Sequence, residues 1–255
     1  MSPTAVSMTQ RRVLGAYATE TKYESLRMLR TPAFACPFLL LPAGLYLLFG
    51  ALLFGDAVAK DPNMPLFMFM GFAVFGVMGP GMFGFGVSLA MEREQGLLRL
   101  KRALPMPPAA PLVAKLLMSA LFVLLVMATM VAAAPFGHLK MSPAQMLLVS
   151  LVNIAGSLPF CALGLFIGTL ASAKSAPAFV NLLYLPMIYL SGILIPMPAS
   201  VKWIALGSPA YHLEQLALAS IWAPHEGVPA LHAAFLAAVT LVFSVWAVRR
   251  LKRPV

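Results

Sequence analysis

The residues able to do chemistry in this chain are few, and they fall in separate places. The first are four histidines, His138, His212, His225 and His232, with Glu214 and Glu226 nearby. Imidazole beside carboxylate is the material of acid–base catalysis or of a metal centre. No metal-type spacing links these histidines, and nothing in the spacing demands that Glu214 and Glu226 join them. The second is a dense charge cluster, Glu92-Arg93-Glu94-Gln95-Gly96-Leu97-Leu98-Arg99-Leu100-Lys101-Arg102, closed by Pro105. It reads as the end of one helix, a turn at Gly96, and a short second helix ending before the proline. Leu97, Leu98, Leu100 and Leu104 give that second helix an apolar face. A short, charged, partly apolar helix suits docking onto a soluble partner. The third is a methionine group, Met64, Met68, Met70, Met78 and Met82. Thioethers suit Cu(I), but no Cys or His shares the segment and Met is a common apolar filler.

These groups must be held by elements built for lipid. Hydrophobic residues make up 61% of the 255, and charged residues only 10%. Soluble domains average about 25% charged. So little charge cannot solvate a globule of this size, which excludes a soluble enzyme. The expected fold is an all-α polytopic membrane domain. A helix needs about 20 mostly apolar residues to cross the hydrocarbon. Six segments qualify: 33–55, 65–91, 111–137, 144–170, 175–197 and 231–248. The first 32 residues hold no long apolar run, so the first span is expected to act as its own insertion signal. Ten-residue alternation is missing, which argues against a membrane barrel.

Basic residues set the orientation. With both termini on one side, the other side holds only Lys60, Lys140 and Lys202 of the 18 Lys and Arg. Both termini are therefore expected in the cytoplasm, with a basic tail at 249–255. This bias accounts for the net charge of +10 without a nucleic-acid partner, since no aromatic residues interleave the basic ones. Lys115 and Lys174 lie near span ends, where long side chains snorkel to the interface. Topology needs basic residues only, so the acids Glu92 and Glu94 favour a docking role for their loop.

Residues 1–32 form a cytoplasmic segment. Within it, 10–30 reads as an interfacial helix with Leu14, Tyr17, Ala18 and Thr21 on one face. The stretch 198–230 is too polar to cross and too apolar for an ordinary loop. Its parts 204–206 and 213–222 read as a short re-entrant or interfacial pair. Span 2 carries Gly71, Gly76, Gly79, Gly81, Gly84 and Gly86 with Pro80 among them. Small residues let helices approach closely in lipid, and Gly/Pro-broken spans are also where transporters bend or bind. Packing is the commoner explanation. Gly76, Gly79, Asn153, Asn181 and Tyr184 are the candidates for helix packing or for lining a path. No span centre carries an acid, Lys or Arg, which argues against a proton-coupled carrier.

Glu92-Arg93-Glu94-Gln95-Gly96, followed by Leu98 and Pro105, resembles the loop between spans 2 and 3 in permease subunits of type-2 ATP-binding-cassette (ABC) exporters. The six spans, the N-terminal helix, the pair before span 6 and the stretch from Ser208-Pro209-Ala210-Tyr211-His212 to Leu216 resemble that family too. Leu97 stands where the family usually has Thr, and Arg99 where an acid is common. The resemblance implies a permease without a nucleotide site of its own. The sequence agrees, having no Gly-x-x-x-x-Gly-Lys-Ser/Thr phosphate loop. It implies two separate ATPase subunits, which bind the ATP and Mg, and a second permease chain, expected to be identical, with a paralogue as the alternative. It implies that Glu92, Arg93, Glu94, Gly96 and Leu98, in the loop 91–110, couple ATP hydrolysis to transport. It places the chain in a bacterial cytoplasmic (inner) membrane and leaves it no cofactor of its own. Two other readings are an intramembrane enzyme with a periplasmic His/Glu site and a membrane scaffold or sensor subunit. The docking loop favours the permease.

Overall fold

The computed structural model describes residues 9–55, 60–104, 106–190 and 202–252. Among the described residues every element is helical. Helix α1 is Gln10–Leu29, and α2 is Pro32–Leu47, prolonged by a π-helical stretch Leu48–Leu53. Helix α3 is the long Met64–Glu94. Its middle, Pro80–Val87, is π-helical. Pro80 has no N–H to give the preceding turn, so a widened turn starts there. Then come α4 Leu97–Ala103, α5 Ala110–Ala133, α6 Pro143–Ala155 and α7 Leu158–Leu170. The chain ends with α8 Ala176–Leu190, α9 Lys202–Ala205, α10 Pro209–Ser220 and α11 Pro229–Lys252.

Five stretches are long and apolar enough to cross a membrane: Pro32–Leu53, Met64–Glu94, Ala110–Gly137, Pro143–Leu170 and Pro229–Leu251. The protein is a multi-pass membrane protein. The fourth stretch breaks at Gly156–Ser157, just before Pro159. The remaining expected span, 175–197, is represented by α8, which is apolar but shorter. Its last part, and the start of the expected re-entrant stretch at 198–201, lie outside the described residues. So do residues 1–8 of the N-terminal segment and 253–255 of the tail.

Span 2 is the centre of the bundle. Its apolar window is 78% buried, against 22% for the first span and 17% for the last. Glycines permit this. A Cβ added at Gly164 would lie 2.6 Å from the Gly81 carbonyl oxygen. One at Gly86 would lie 2.7 Å from that of Gly164, and one at Gly168 would lie 2.6 Å from that of Gly86. Helices α3 and α7 thus meet backbone to backbone, as close packing in lipid requires of small residues. A Cβ at Gly76 would meet Val126 and Pro42, and Gly79 lies under the Phe38 ring.

One end of the bundle gathers the end of α3, the start of α5, the end of α7 and the end of α11. There Arg93 reaches the Thr169 and Ala171 carbonyls, and Leu98 packs in one cluster with Leu112 and Leu251. At the other end, Pro62, Leu139, Ile221 and Ala223 line a cavity of about 600 Å³. The chain therefore changes ends between Ala171 and Ile221.

Candidate functional site

The loop after span 2 is built as its charges predict. Gly96 has φ +74°, a left-handed conformation that glycine adopts without strain, and it separates α3 from α4. Nothing lies within 4 Å of where its Cβ would be, so glycine is needed there for its backbone alone. Leu98 is half-buried against the cluster of Phe85, Leu89 and Leu165. It also lines an apolar cavity of about 460 Å³ with Pro107, Pro111, Val248 and Leu251.

Arg93 and Glu94 turn to the junction of α7 and α8. The Arg93 guanidinium donates through Nη1 to the Thr169 carbonyl and through Nη2 to the Ala171 carbonyl, the latter at 2.8 Å. These are the carbonyls that a helix C-terminus leaves unpaired. Glu94 Oε2 accepts from the Ala173 backbone N–H at 2.6 Å. The end of α3 therefore grips the turn that leads into α8.

Glu92 points the other way, into the protein, and is 1% exposed. It accepts from Lys115 Nζ at 2.9 Å and pairs with Arg27 Nη2 at 3.0 Å. Lys115 Nζ also donates to Glu24 Oε1 at 2.5 Å and to Ser88 Oγ at 2.9 Å. An ammonium has three donors, and all three are used. Arg27 closes the ring on Glu24 at 2.8 Å, and Lys101 binds Glu20 at 2.7 Å with Glu92 Oε2 3.5 Å away. Burial, the largest influence on Lys101, lowers its pKa, but the hydrogen bond to Glu20 and the charges of Glu92, Glu20 and Glu24 together raise it. Three cations and three carboxylates thus form a neutral knot joining α1, α3, α4 and α5.

One expectation changes here. Lys115 does not snorkel; it is fully buried at the heart of the knot, because two carboxylates from other helices reach it first. Helix α1 leaves Leu14 and Ala18 exposed, and its buried face carries Glu24, Ser25 and Met28 against α5. Sequence reasoning missed Lys115 and the acids of α1 as site residues. The signal was present in Glu20, Glu24 and Arg27, which share one face at helical spacing. Of the loop, Met91, Glu94, Gln95, Arg99, Leu100 and Leu104 face outward, with Leu100 63% and Leu104 51% exposed.

The other sequence candidates scatter. Tyr184 is buried, donates to the Phe75 carbonyl at 3.2 Å, and shares an apolar cleft of about 200 Å³ with Phe38, Gly76 and Phe83. Asn153 is buried and donates to the Val149 carbonyl in its own helix at 2.9 Å. Asn181 lies exposed on α8, between the exposed Phe179 and Leu182. Among the histidines, His212 and His232 come together, while His138 and His225 do not join them. Among the described residues no group of three or more His, Cys, Asp or Glu could hold a metal ion.

The protein is thus a bundle of long apolar helices around a glycine-seamed centre, with a charged loop knotted to an N-terminal helix. Residues 16–222 match the ABC-2 type transporter family, and the chain belongs to that family. Over 193 residues it is 28% identical to "Putative transport permease YvfS" of Bacillus subtilis (strain 168), an alignment covering 74% of this chain and 78% of that protein. The chain is accordingly a permease subunit and not itself an enzyme.

Proposed function

We propose that this chain is one of two identical permeases of an ATP-driven exporter in a bacterial inner membrane, driven by two copies of a separate ATPase that bind the ATP and Mg. The single observation that carries the coupling role is the neutral knot together with the Arg93–Glu94 grip. A partner pressing on the outward face of the loop 91–110 meets α3 and α4, which are bonded to α1, α5 and the α7–α8 turn. Those elements then move together. In this reading Glu92, Arg93 and Glu94 transmit the push, Gly96 sets the angle of α4, and Leu98 seats it.

Six crossings with both termini cytoplasmic are supported by the change of ends between Ala171 and Ile221, with the apolar α8 lying between them. The basic bias assigns the end with the knot to the cytoplasm. A second chain is supported by Asn181. An amide facing hydrocarbon without a partner is costly, and a facing copy of α8 relieves it. The cleft of Gly76, Phe83 and Tyr184 then forms part of a pathway shared by the two chains. Apolar walls and the lack of ionised groups at span centres suit an amphipathic substrate.

A mild-detergent pull-down of the tagged chain from its native host tests this. The expected result is a soluble protein with a phosphate-binding loop, recovered near one-to-one, and lost in Leu100→Asp while the variant chain stays folded. Recovery of the folded wild-type chain alone overturns the reading.

A further inference from the structure

At the end opposite the knot, His212 of α10 and His232 of α11 face each other with Nδ1 to Nδ1 at 2.7 Å. Both rings are buried. Each Nε2 is also engaged: His212 Nε2 lies 2.9 Å from the Leu206 carbonyl oxygen, and His232 Nε2 lies 2.7 Å from the Glu226 carbonyl oxygen. A carbonyl oxygen only accepts, so both Nε2 atoms must carry hydrogen. The Nδ1–Nδ1 contact then needs one hydrogen between two nitrogens. The pair therefore holds three protons on four nitrogens, which is one imidazolium and one neutral imidazole. Two neutral rings cannot satisfy all three contacts. They leave either two lone pairs facing each other between the rings, or a lone pair facing a carbonyl.

We propose that His212 and His232 form a proton-binding site that latches the last membrane helix to α10. The surroundings fit one proton of charge and not two. Burial, the largest influence on His212, and the charge of His232 lower its pKa, while the bond to the Leu206 carbonyl opposes them. Of the two rings, His212 is therefore the one held neutral and accepting. Phe235 stacks on His212 with centroids 4.0 Å apart, and Tyr211 meets both rings edge-on. The Tyr211 hydroxyl donates to Glu226 Oε2 at 3.0 Å, and the Glu226 N–H donates to Gln215 Oε1 at 2.7 Å. Gly227 has φ +75°, and a Cβ there would lie 2.9 Å from His232 Nε2, so glycine lets the turn reach the ring.

The charged and titratable groups around the pair are Tyr211, Glu214, His225 and Glu226, with Lys60, Asp61, His138 and Lys140 lining the nearby cavity. The segments of α3 and α6 packed against α10 bring no ionisable side chain, and α8 brings only Tyr184 and Tyr189. Moving α11 away from α10 breaks the shared bond and frees the proton. In the permease reading, on which this consequence rests, that links opening of the outer end to proton release; the site itself does not depend on that reading.

The test uses the full chain in lipid nanodiscs with ring-¹⁵N histidine, in a His138→Asn/His225→Asn background so that only the pair reports. At neutral pH the expected signature is three N–H nitrogens and one bare nitrogen. Two N–H and two bare nitrogens throughout pH 6–8 overturn the proposal. Thermal stability against pH gives a second arm, in a Glu214→Gln background that removes a competing titration. Loss of the shared proton costs a hydrogen bond, so stability should fall as pH rises above about 6.5, where free histidine deprotonates. Loading of a second proton is opposed, so stability should also fall below that pH. His212→Gln and His232→Gln should each abolish the fall above pH 6.5, and the double variant should do no more to it. An unchanged profile in either single variant overturns the latch.

Discussion

The two ends of the molecule hold helices together by opposite means. At the end with the coupling loop, three cations meet three carboxylates in paired contacts. At the far end, α10 and α11 meet through the His212–His232 pair, beside Tyr211 with its partner Glu226 and the buried Glu214. Glu214 there is pushed up to about 8, first by burial and then by the charge of Glu226. The first end is a fixed joint, suited to passing on a mechanical push. The second is sensitive to protons, suited to a contact that opens and closes. An ion pair withdrawn from water is rigid because breaking it strands a charge, whereas a histidine pair is broken by a single proton.

Removing the centre of the fixed joint should have the largest effect. Lys115→Met leaves Glu24 and Glu92 buried with one cation fewer, and should destabilise the chain by about 3–5 kcal/mol. Denaturation in detergent measures this, and loss of ATPase copurification should accompany it. A near-neutral effect would mean that Arg27 and Lys101 suffice, and the knot would no longer be a joint. Gly96→Val is milder. A β-branched residue in the left-handed region costs about 1–2 kcal/mol, with no clash from neighbours. The fold should survive while ATP hydrolysis no longer drives transport. Unchanged substrate-dependent transport in that variant removes the coupling role from the turn.

At the proton-sensitive end the expected effect is a slope with pH rather than a fixed loss. Glu214 ionises near 4.5, the ordinary value for a glutamate, in the unfolded chain but at about 8 in the folded one. Below 4.5 both states are protonated and nothing is lost. Between the two values only the unfolded state ionises, so stability should fall as pH rises, and above 8 the loss stays constant. Glu214→Gln should remove that slope in a thermal-unfolding series from pH 4.5 to 9. The same substitution in the Lys115→Met chain should act independently, because the two ends share no partners.

Much of the fold was legible because its causes are local. Apolar runs of spanning length, the fracture before Pro159, the turn at Gly96 and the short helix before Pro105 all depend on residues within a few positions of one another. So does the glycine content of span 2, which marks it as a helix that neighbours approach closely. The coupling loop was legible as a loop, yet the directions of its side chains were not. Glu92, Arg93 and Glu94 are consecutive, and on a helix consecutive residues point to different sides. Which of them faces solvent depends on how α3 is rotated against α1, α5 and α7.

Charge and length by themselves determined that this chain lives in a membrane, and the residues of the loop 91–105 determined its family resemblance. Tertiary structure alone decided that Lys115 is a buried hub rather than a snorkelling end, and that Asn181 faces outward while Asn153 does not. It alone paired His212 with His232, twenty residues apart, while leaving His138 and His225 aside. The physical reason is one of reach. Hydrophobicity and helix period act along the chain and can be read from it, whereas a proton or an ion pair is shared across helices whose rotation and depth only the packed bundle sets.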